Sequence, residues 1–221
     1  ALYILLMTAN VTVGGAQKIS NSEGGFAAHY TLGQNDFFGS SVASIGDLDG
    51  DGISELVVGA DGDDDGSSGG GAVYVLFMTT SGTASAVQKI SNSDGGLAAH
   101  YTVSGCFGHS VAPLGDMNGD GVVDFAVGAR CDDDGSSSAG AFYLIFATTS
   151  GTVGDAAKVS MLEGGFASFY TLDSGDYFGC SLALVGNSDG TLELVVGAYG
   201  DDDGNGDAGA AYVLSFEMMS P

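Results

Sequence analysis

Two acidic runs in this chain carry oxygen side chains at a fixed rhythm. The first is Asp47-Leu48-Asp49-Gly50-Asp51-Gly52-Ile53-Ser54-Glu55, and the second is Asp116-Met117-Asn118-Gly119-Asp120-Gly121-Val122-Val123-Asp124. Ligand-type residues fall at loop positions 1, 3, 5 and 9, with glycine at 6. Position 7, Ile53 or Val122, has only its backbone carbonyl to give. Several hard oxygens on a tight turn suit Ca²⁺, and glycine permits the bend. Mg²⁺ fits less well, because it wants a small rigid octahedron and keeps its water. An EF-hand would need a bidentate Glu at position 12, where Val58 and Val127 stand inside apolar runs. The loops are therefore expected to join strands. Two carboxylates ~4 Å apart repel by about 4 kcal/mol at an effective dielectric of ~20. Without a cation such a loop should splay; with one it staples its two strands.

A third run, Gly186-Asn187-Ser188-Asp189-Gly190-Thr191-Leu192-Glu193, is two residues shorter. Asn187, Asp189 and Glu193 align with positions 3, 5 and 9, and position 1 is lost. Weak calcium binding or none is expected there.

These loops recur because the chain repeats. Phe38, Phe107 and Phe178 lie 69 and 71 residues apart, and KISNSEGG, KISNSDGG and KVSMLEGG follow the same period. Such a period marks an array of like units. Each unit reads as four strands: SSVASIG (40–46), ISELVVGA (53–60), AVYVLFM (72–78) and a more polar segment around AVQKIS (86–91). The third is apolar on both faces, so each sheet must lie between neighbours. The fourth suits an outer edge. No stretch has helical periodicity with caps, so essentially no helix is expected. The fold class is all-β: three tandem four-stranded antiparallel blades of β-propeller type plus an extra terminal strand. Residues 1–36 complete a preceding blade and its connector, and 37–105, 106–175 and 176–221 form the three units, the last partial. Three blades do not close a ring. The chain is a segment of a longer array, or chains associate into a ring, or units stack openly by strand addition.

The chain of 221 residues has 28 acidic and 4 basic residues, a formal net charge of −24. That surface repels nucleic-acid backbones and anionic membranes. An apolar fraction of 44% excludes a disordered acidic tail. ALYILLM at the start aligns with the third strands, so it reads as a strand and a targeting signal is expected outside this sequence. Cys106 opens one strand and Cys131 follows the next; antiparallel pairing would bring them together, and a bridge would point to an oxidising compartment. Free thiols in a reducing cell are the alternative. Cys180 reads as a buried small residue.

The triplets Asp63-Asp64-Asp65, Asp132-Asp133-Asp134 and Asp201-Asp202-Asp203 read as solvated acidic turns, with a second cation site as the alternative. His29 and His100 share a repeat position with Phe169, which marks it as a packing position. His109 reads as a satisfied strand residue. No nucleophile–base pair, phosphate loop or zinc spacing is visible, so no enzyme is expected. Asn10-Val11-Thr12 is a glycosylation sequon if the protein is secreted by a eukaryote.

FG, an acidic loop and then VVGA resemble the FG-GAP repeat of integrin α-chain propellers; bacterial and algal proteins that string such repeats are similar. Phe38-Gly39, Phe107-Gly108 and Phe178-Gly179 match the FG element. Gly59-Ala60, Gly128-Ala129 and Gly197-Ala198 match GA, with Asp61, Arg130 or Tyr199 where the family has Pro. The resemblance implies that the acidic loop joins the first two strands of a blade and binds calcium. The family's protein-binding face does not carry over to a chain without a full ring. The expected function is an extracellular calcium-binding structural or adhesive β-repeat protein that self-associates into an array or filament. The alternatives are a protein- or glycan-binding propeller formed by chain association, or a non-catalytic domain of a larger secreted protein.

Overall fold

The computed structural model describes residues 1–64, 68–101, 105–186, 191–203, 206 and 208–217. Strands β1 (Leu2–Met7) and β2 (Val13–Ile19) form a two-stranded antiparallel sheet. Blade one is β3 (Val42–Gly46), β4 (Glu55–Ala60), β5 (Ala72–Met78) and β6 (Ala84–Ile90), paired in that order. Blade two repeats it as β7 (Phe107–Gly115), β8 (Asp124–Ala129), β9 (Ala141–Ala147) and β10 (Val153–Val159). The third sheet has β11 (Ser181–Gly186), β12 (Thr191–Ala198) and β13 (Ala210–Glu217). All pairings within these sheets are antiparallel. The architecture is the all-β, open blade array that the repeats imply. The second strands of the two complete blades begin at Glu55 and Asp124, two residues later than the apolar pattern suggests.

Each sheet buries a face against the next. One core joins Val57, Val73 and Val75 of blade one to Phe107, Phe125 and Tyr143 of blade two. A second joins Phe142, Leu144 and Phe146 to Phe178, Leu194 and Tyr212. A third sets Ile19 and Phe26 against Phe38, Tyr74 and Leu76. Strands β5 and β9 lie between two cores and are buried at every position. That is why AVYVLFM and AFYLIFA lack a polar face.

The glycines of the two repeated dipeptides permit the close stacking. A Cβ on Gly59 would lie 1.9 Å from the Gly108 carbonyl oxygen, and one on Gly128 would lie 2.1 Å from that of Gly179. Ser41 Oγ and Ser110 Oγ each donate to those same carbonyls at 2.7 Å. Gly108 and Gly179 are also held at φ of +92° and +84°, a region that costs a side chain strain. The FG glycine of one blade therefore docks on the GA glycine of the previous one.

The connectors each contain a single 3-10 turn, at Phe26–Ala28, Leu97–Ala99 and Phe166–Ser168, whose first side chain is buried. Three residues are too few to give a helical period, so the sequence pattern passes over them. The following position is not a packing position: Phe169 is 81% exposed, and His100 stands 3.2 Å from Asp155. An exposed site accepts His and Phe alike.

Cys106 and Cys131 form a disulfide with Cα atoms 5.5 Å apart. The bridge closes the open end of the β7–β8 hairpin. Closing a loop of this separation, 25 residues, stabilises by about 3 kcal/mol in the chain-entropy account. Cys180 is free and half-buried, not the buried residue that the sequence suggests.

Candidate metal centre

The first acidic loop runs from the end of β3 to the start of β4, and the second from β7 to β8. Each is anchored by its second residue. Leu48 belongs to the core between blades one and two, and Met117 to the next core. The carboxylate at position 9 then caps the anchor's backbone: Leu48 N–H donates to Glu55 Oε2 at 2.6 Å, and Met117 N–H to Asp124 Oδ2 at 2.8 Å. Position 1 gathers the turn. Asp47 accepts from Gly50 and Gly52 N–H at 2.8 and 2.9 Å, and Asp116 from Gly119 and Gly121 at the same distances.

The result in loop one is a three-carboxylate cluster. Asp47, Asp49 and Glu55 each offer an oxygen, all within 4.8 Å of one another. Glu55 is 0% exposed, and its Oε1 has no hydrogen bond among the described residues. Burial pushes its carboxyl above the usual range, against the pull of the Leu48 and Met78 N–H groups and with the charges of Asp49 and Asp51 adding to the rise. Asp51 is not part of this cluster; its Oδ1 accepts from Ile53 N–H at 2.7 Å.

Loop two has the same backbone web with a looser arrangement of acids. Asn118 Nδ2 donates to Asp120 Oδ2 at 3.0 Å, and Asp120 Oδ1 accepts from Val122 N–H at 2.8 Å. Asp124 is 0% exposed, and its Oδ1 also accepts from Ala147 N–H at 3.1 Å. Burial pushes it up to about 6, and the backbone donors only partly offset this.

A backbone device aims position 9 into each loop. The β3–β4 register shifts between Ser44 and Gly46, so that Gly46 faces Glu55. The β7–β8 register shifts between Pro113 and Gly115, so that Gly115 faces Asp124. Both glycines have positive φ, +78° and +79°. A bulge with left-handed glycine bends its strand and re-aims the residues opposite. The third hairpin lacks it among the described residues. Its pairing runs unbroken, Glu193 faces Val185, and Gly186 has no positive φ. Glu193 is thus a half-buried strand residue of β12, while Asn187 and Asp189 lie outside the described residues.

Comparison with known proteins agrees with this geometry. The FG-GAP repeat family matches residues 38–76, spanning the first acidic loop and β3 to β5. A second model of FG-GAP repeats matches residues 172–214. This is an FG-GAP repeat protein. Integrin alpha-PS2 of Drosophila melanogaster is 32% identical over 76% of the chain and 12% of its own length. Integrin alpha-V of Gallus gallus is 32% identical over 75% of the chain and 15% of its own length. The phosphatidylinositol-glycan-specific phospholipase D of Bos taurus is 30% identical over 67% of the chain and 18% of its own length. The chain thus spans less than a fifth of these relatives.

The acidic triplets of this FG-GAP protein depart from the solvated turns expected of them. Their leading aspartates are buried: Asp63, Asp132 and Asp201 are 2%, 0% and 4% exposed. In blade one Asp63 accepts from Tyr74 OH at 2.9 Å and from Lys89 Nζ at 2.8 Å. In blade two Asp132 accepts from Tyr143 OH and Lys158 Nζ, both at 3.0 Å, and Asp134 also pairs with Lys158 at 2.9 Å. Burial alone would lower the Lys158 amine, but the bond to Asp134 and the charge of Asp132 outweigh it and hold the amine above its usual value. His109 is a bonded strand residue, as expected: its Nδ1 lies 2.7 Å from Asp61 and 3.1 Å from Arg130 Nε.

The pKa directions fix a pH dependence for metal-free FG-GAP blades. The folded pKa of Asp124 lies above its unfolded value, so the fold binds the extra proton. Stability in EDTA is therefore expected to fall as pH rises from about 4 to 6, by on the order of 2 kcal/mol. An ion held by these carboxylates would reverse the slope, because a metal binds deprotonated ligands. Urea unfolding at pH 4.5 and 7 in both buffers measures it, and parallel slopes would contradict the assignment.

Proposed function

We propose that this chain is a calcium-stapled FG-GAP module of an extracellular adhesive or structural protein. The observation that carries the reading is Glu55 Oε1, a buried carboxylate oxygen without a hydrogen bond among the described residues, beside Asp47 and Asp49. Burying a charged oxygen with no partner is costly, and a divalent cation offsets that cost. In loop one Asp47, Asp49 and Glu55 hold the ion, and Asp51 and the Ile53 carbonyl complete its shell. In loop two Asp116, Asn118, Asp120, the Val122 carbonyl and Asp124 do the same. The bound ion neutralises the acids and ties the first two strands of each blade.

Three findings support the extracellular setting: the integrin relatives, the Cys106–Cys131 bridge, and charge of one sign over most of the chain. No helix among the described residues is long and apolar enough to cross a membrane. We read the chain as a non-catalytic scaffold that presents its loops to a protein or glycan ligand. A second reading, a non-catalytic domain of a larger secreted protein, is favoured by the match to the phospholipase D.

Calorimetric titration tests the metal assignment. Two calcium equivalents are expected for the native chain and one for Glu55→Gln. No binding heat down to millimolar affinity would end the calcium reading.

A further inference from the structure

We propose that Asn118 converts itself to aspartate, and that this change ripens loop two as a calcium site. Asn118 is followed by Gly119, and a glycine, having no Cβ, leaves its nitrogen a clear path to the asparagine side chain. Gly119 holds a φ of +77° inside the turn. Asn118 is half-buried and Gly119 exposed, so the pair is open to water.

The loop holds each reacting atom by a contact. The attacking nitrogen, Gly119 N, donates its hydrogen to Asp116 Oδ1 at 2.8 Å, which raises the electron density on nitrogen. The attacked carbonyl oxygen, Asn118 Oδ1, accepts from Asp120 N–H at 3.0 Å, a donor placed where negative charge develops. The departing nitrogen, Asn118 Nδ2, donates to Asp120 Oδ2 at 3.0 Å. In the first step Gly119 N bonds to Asn118 Cγ and the Cγ–Nδ2 bond breaks. The Gly119 proton leaves with Nδ2 as ammonia, and a cyclic imide remains. In the second step water adds to Cγ and the bond from Cγ to Gly119 N breaks. Gly119 N regains a proton, and Cγ keeps the oxygen as a carboxylate. One water is consumed and one ammonia released.

Loop one displays the product. Asp49 stands where Asn118 does, and its Oδ1 accepts from Asp51 N–H at 3.1 Å, as Asn118 Oδ1 accepts from Asp120 N–H. Gly50 matches Gly119 both in φ, +82°, and in its 2.8 Å bond to the aspartate at position 1. An aspartate at 118 therefore fits the turn as it stands. Two things change for an ion. Loop two gains the position 3 carboxylate that loop one already has, and the amide that ties Asp120 Oδ2 is gone. Ligand charge tunes the affinity of calcium loops. This consequence rests on the calcium reading above; the hydrolysis itself does not.

Other asparagines of the described residues are worse placed. Asn10, Asn21, Asn35 and Asn92 precede Val, Ser, Asp and Ser, whose side chains obstruct the attack. Asn205-Gly206 is a second pair of the same type, and Asn205 lies outside the described residues.

The test incubates the folded chain in EDTA near neutral pH and maps it, after reduction, by tryptic peptide mass spectrometry. The fragment from Ile90 to Arg130 is expected to gain the mass of amide-to-acid exchange at Asn118, with aspartate as the main product. Gly119→Ala should slow the conversion at least about tenfold. The Glu55→Gln background isolates loop two, and there Asn118→Asp is expected to bind calcium at least about tenfold more tightly than the asparagine form by calorimetric titration. An Asn118 that stays intact after the urea-unfolded chain has converted overturns the hydrolysis. Isoaspartate as the main product, from opening of the imide on its other side, or equal affinity of the two forms overturns the ripening. The mass map needs no metal, so failure of the hydrolysis stays distinct from failure of the calcium reading, which loop one reports separately.

Discussion

Calcium added to chelated protein is expected to raise the melting temperature by roughly 10–20 °C. A ligand at about a hundred times its Kd stabilises the fold by about 2.7 kcal/mol per site. Two sites give about 5 kcal/mol, and for a chain of this size each kcal/mol moves Tm by about 2–4 °C. Asp49→Ala should lose about half of the gain, and Asp49→Ala with Asp120→Ala nearly all of it. In EDTA the same variants should melt at or slightly above the native value, because each removes a repelling carboxylate. Calorimetric scans in the two buffers decide the matter. Equal losses in calcium and EDTA would mean that these residues act through the bonds that Asp49 Oδ1 and Asp120 Oδ1 accept from the Asp51 and Val122 amides, not through an ion.

The second large effect belongs to the buried ion pairs. Lys158→Met leaves Asp132 buried without its cation, which costs about 3–5 kcal/mol. Asp132→Asn in the same chain should recover much of that loss, because Asn still accepts from Tyr143 OH and carries no charge. Denaturant unfolding of the single and double variants measures the coupling. A loss from Lys158→Met below about 1 kcal/mol would mean that the pair does not hold the blade. The phenol shares in this network: burial, then the charge of Asp132, pushes the Tyr143 hydroxyl well above its ordinary pKa, so it remains a donor throughout the working range.

Much of the fold was legible because the units repeat. Three aligned copies separate what the scaffold needs from what one loop tolerates. The seven-residue apolar runs of β5 and β9 announced sheets covered on both sides, and the spacing of Cys106 and Cys131 allowed the bridge but left free thiols open until the structure joined them. The acidic loops were legible as clusters, yet their geometry was not. Nothing in Gly46 or Gly115 distinguishes a left-handed bulge from an ordinary strand end, and the bulge is what turns Glu55 and Asp124 inward. The buried role of Asp63 and Asp132 was hidden because an aspartate triplet beside glycines looks like a solvated turn. A signal did exist. Three of the four cations, Lys18, Lys89 and Lys158, recur at one repeat position in a chain of 28 acids. In both complete blades the lysine follows its aspartate by 26 residues and the tyrosine follows it by 11.

The sulfur bridge of blade two has a mechanical consequence. A chain pulled from its ends transmits load through every hairpin in series, and each hairpin that opens releases its hidden length. The bridge removes the 25-residue separation between its cysteines from that reserve, roughly 80 Å at full extension. Under oxidising conditions the middle unit therefore yields less slack than its neighbour, and a reductant restores it.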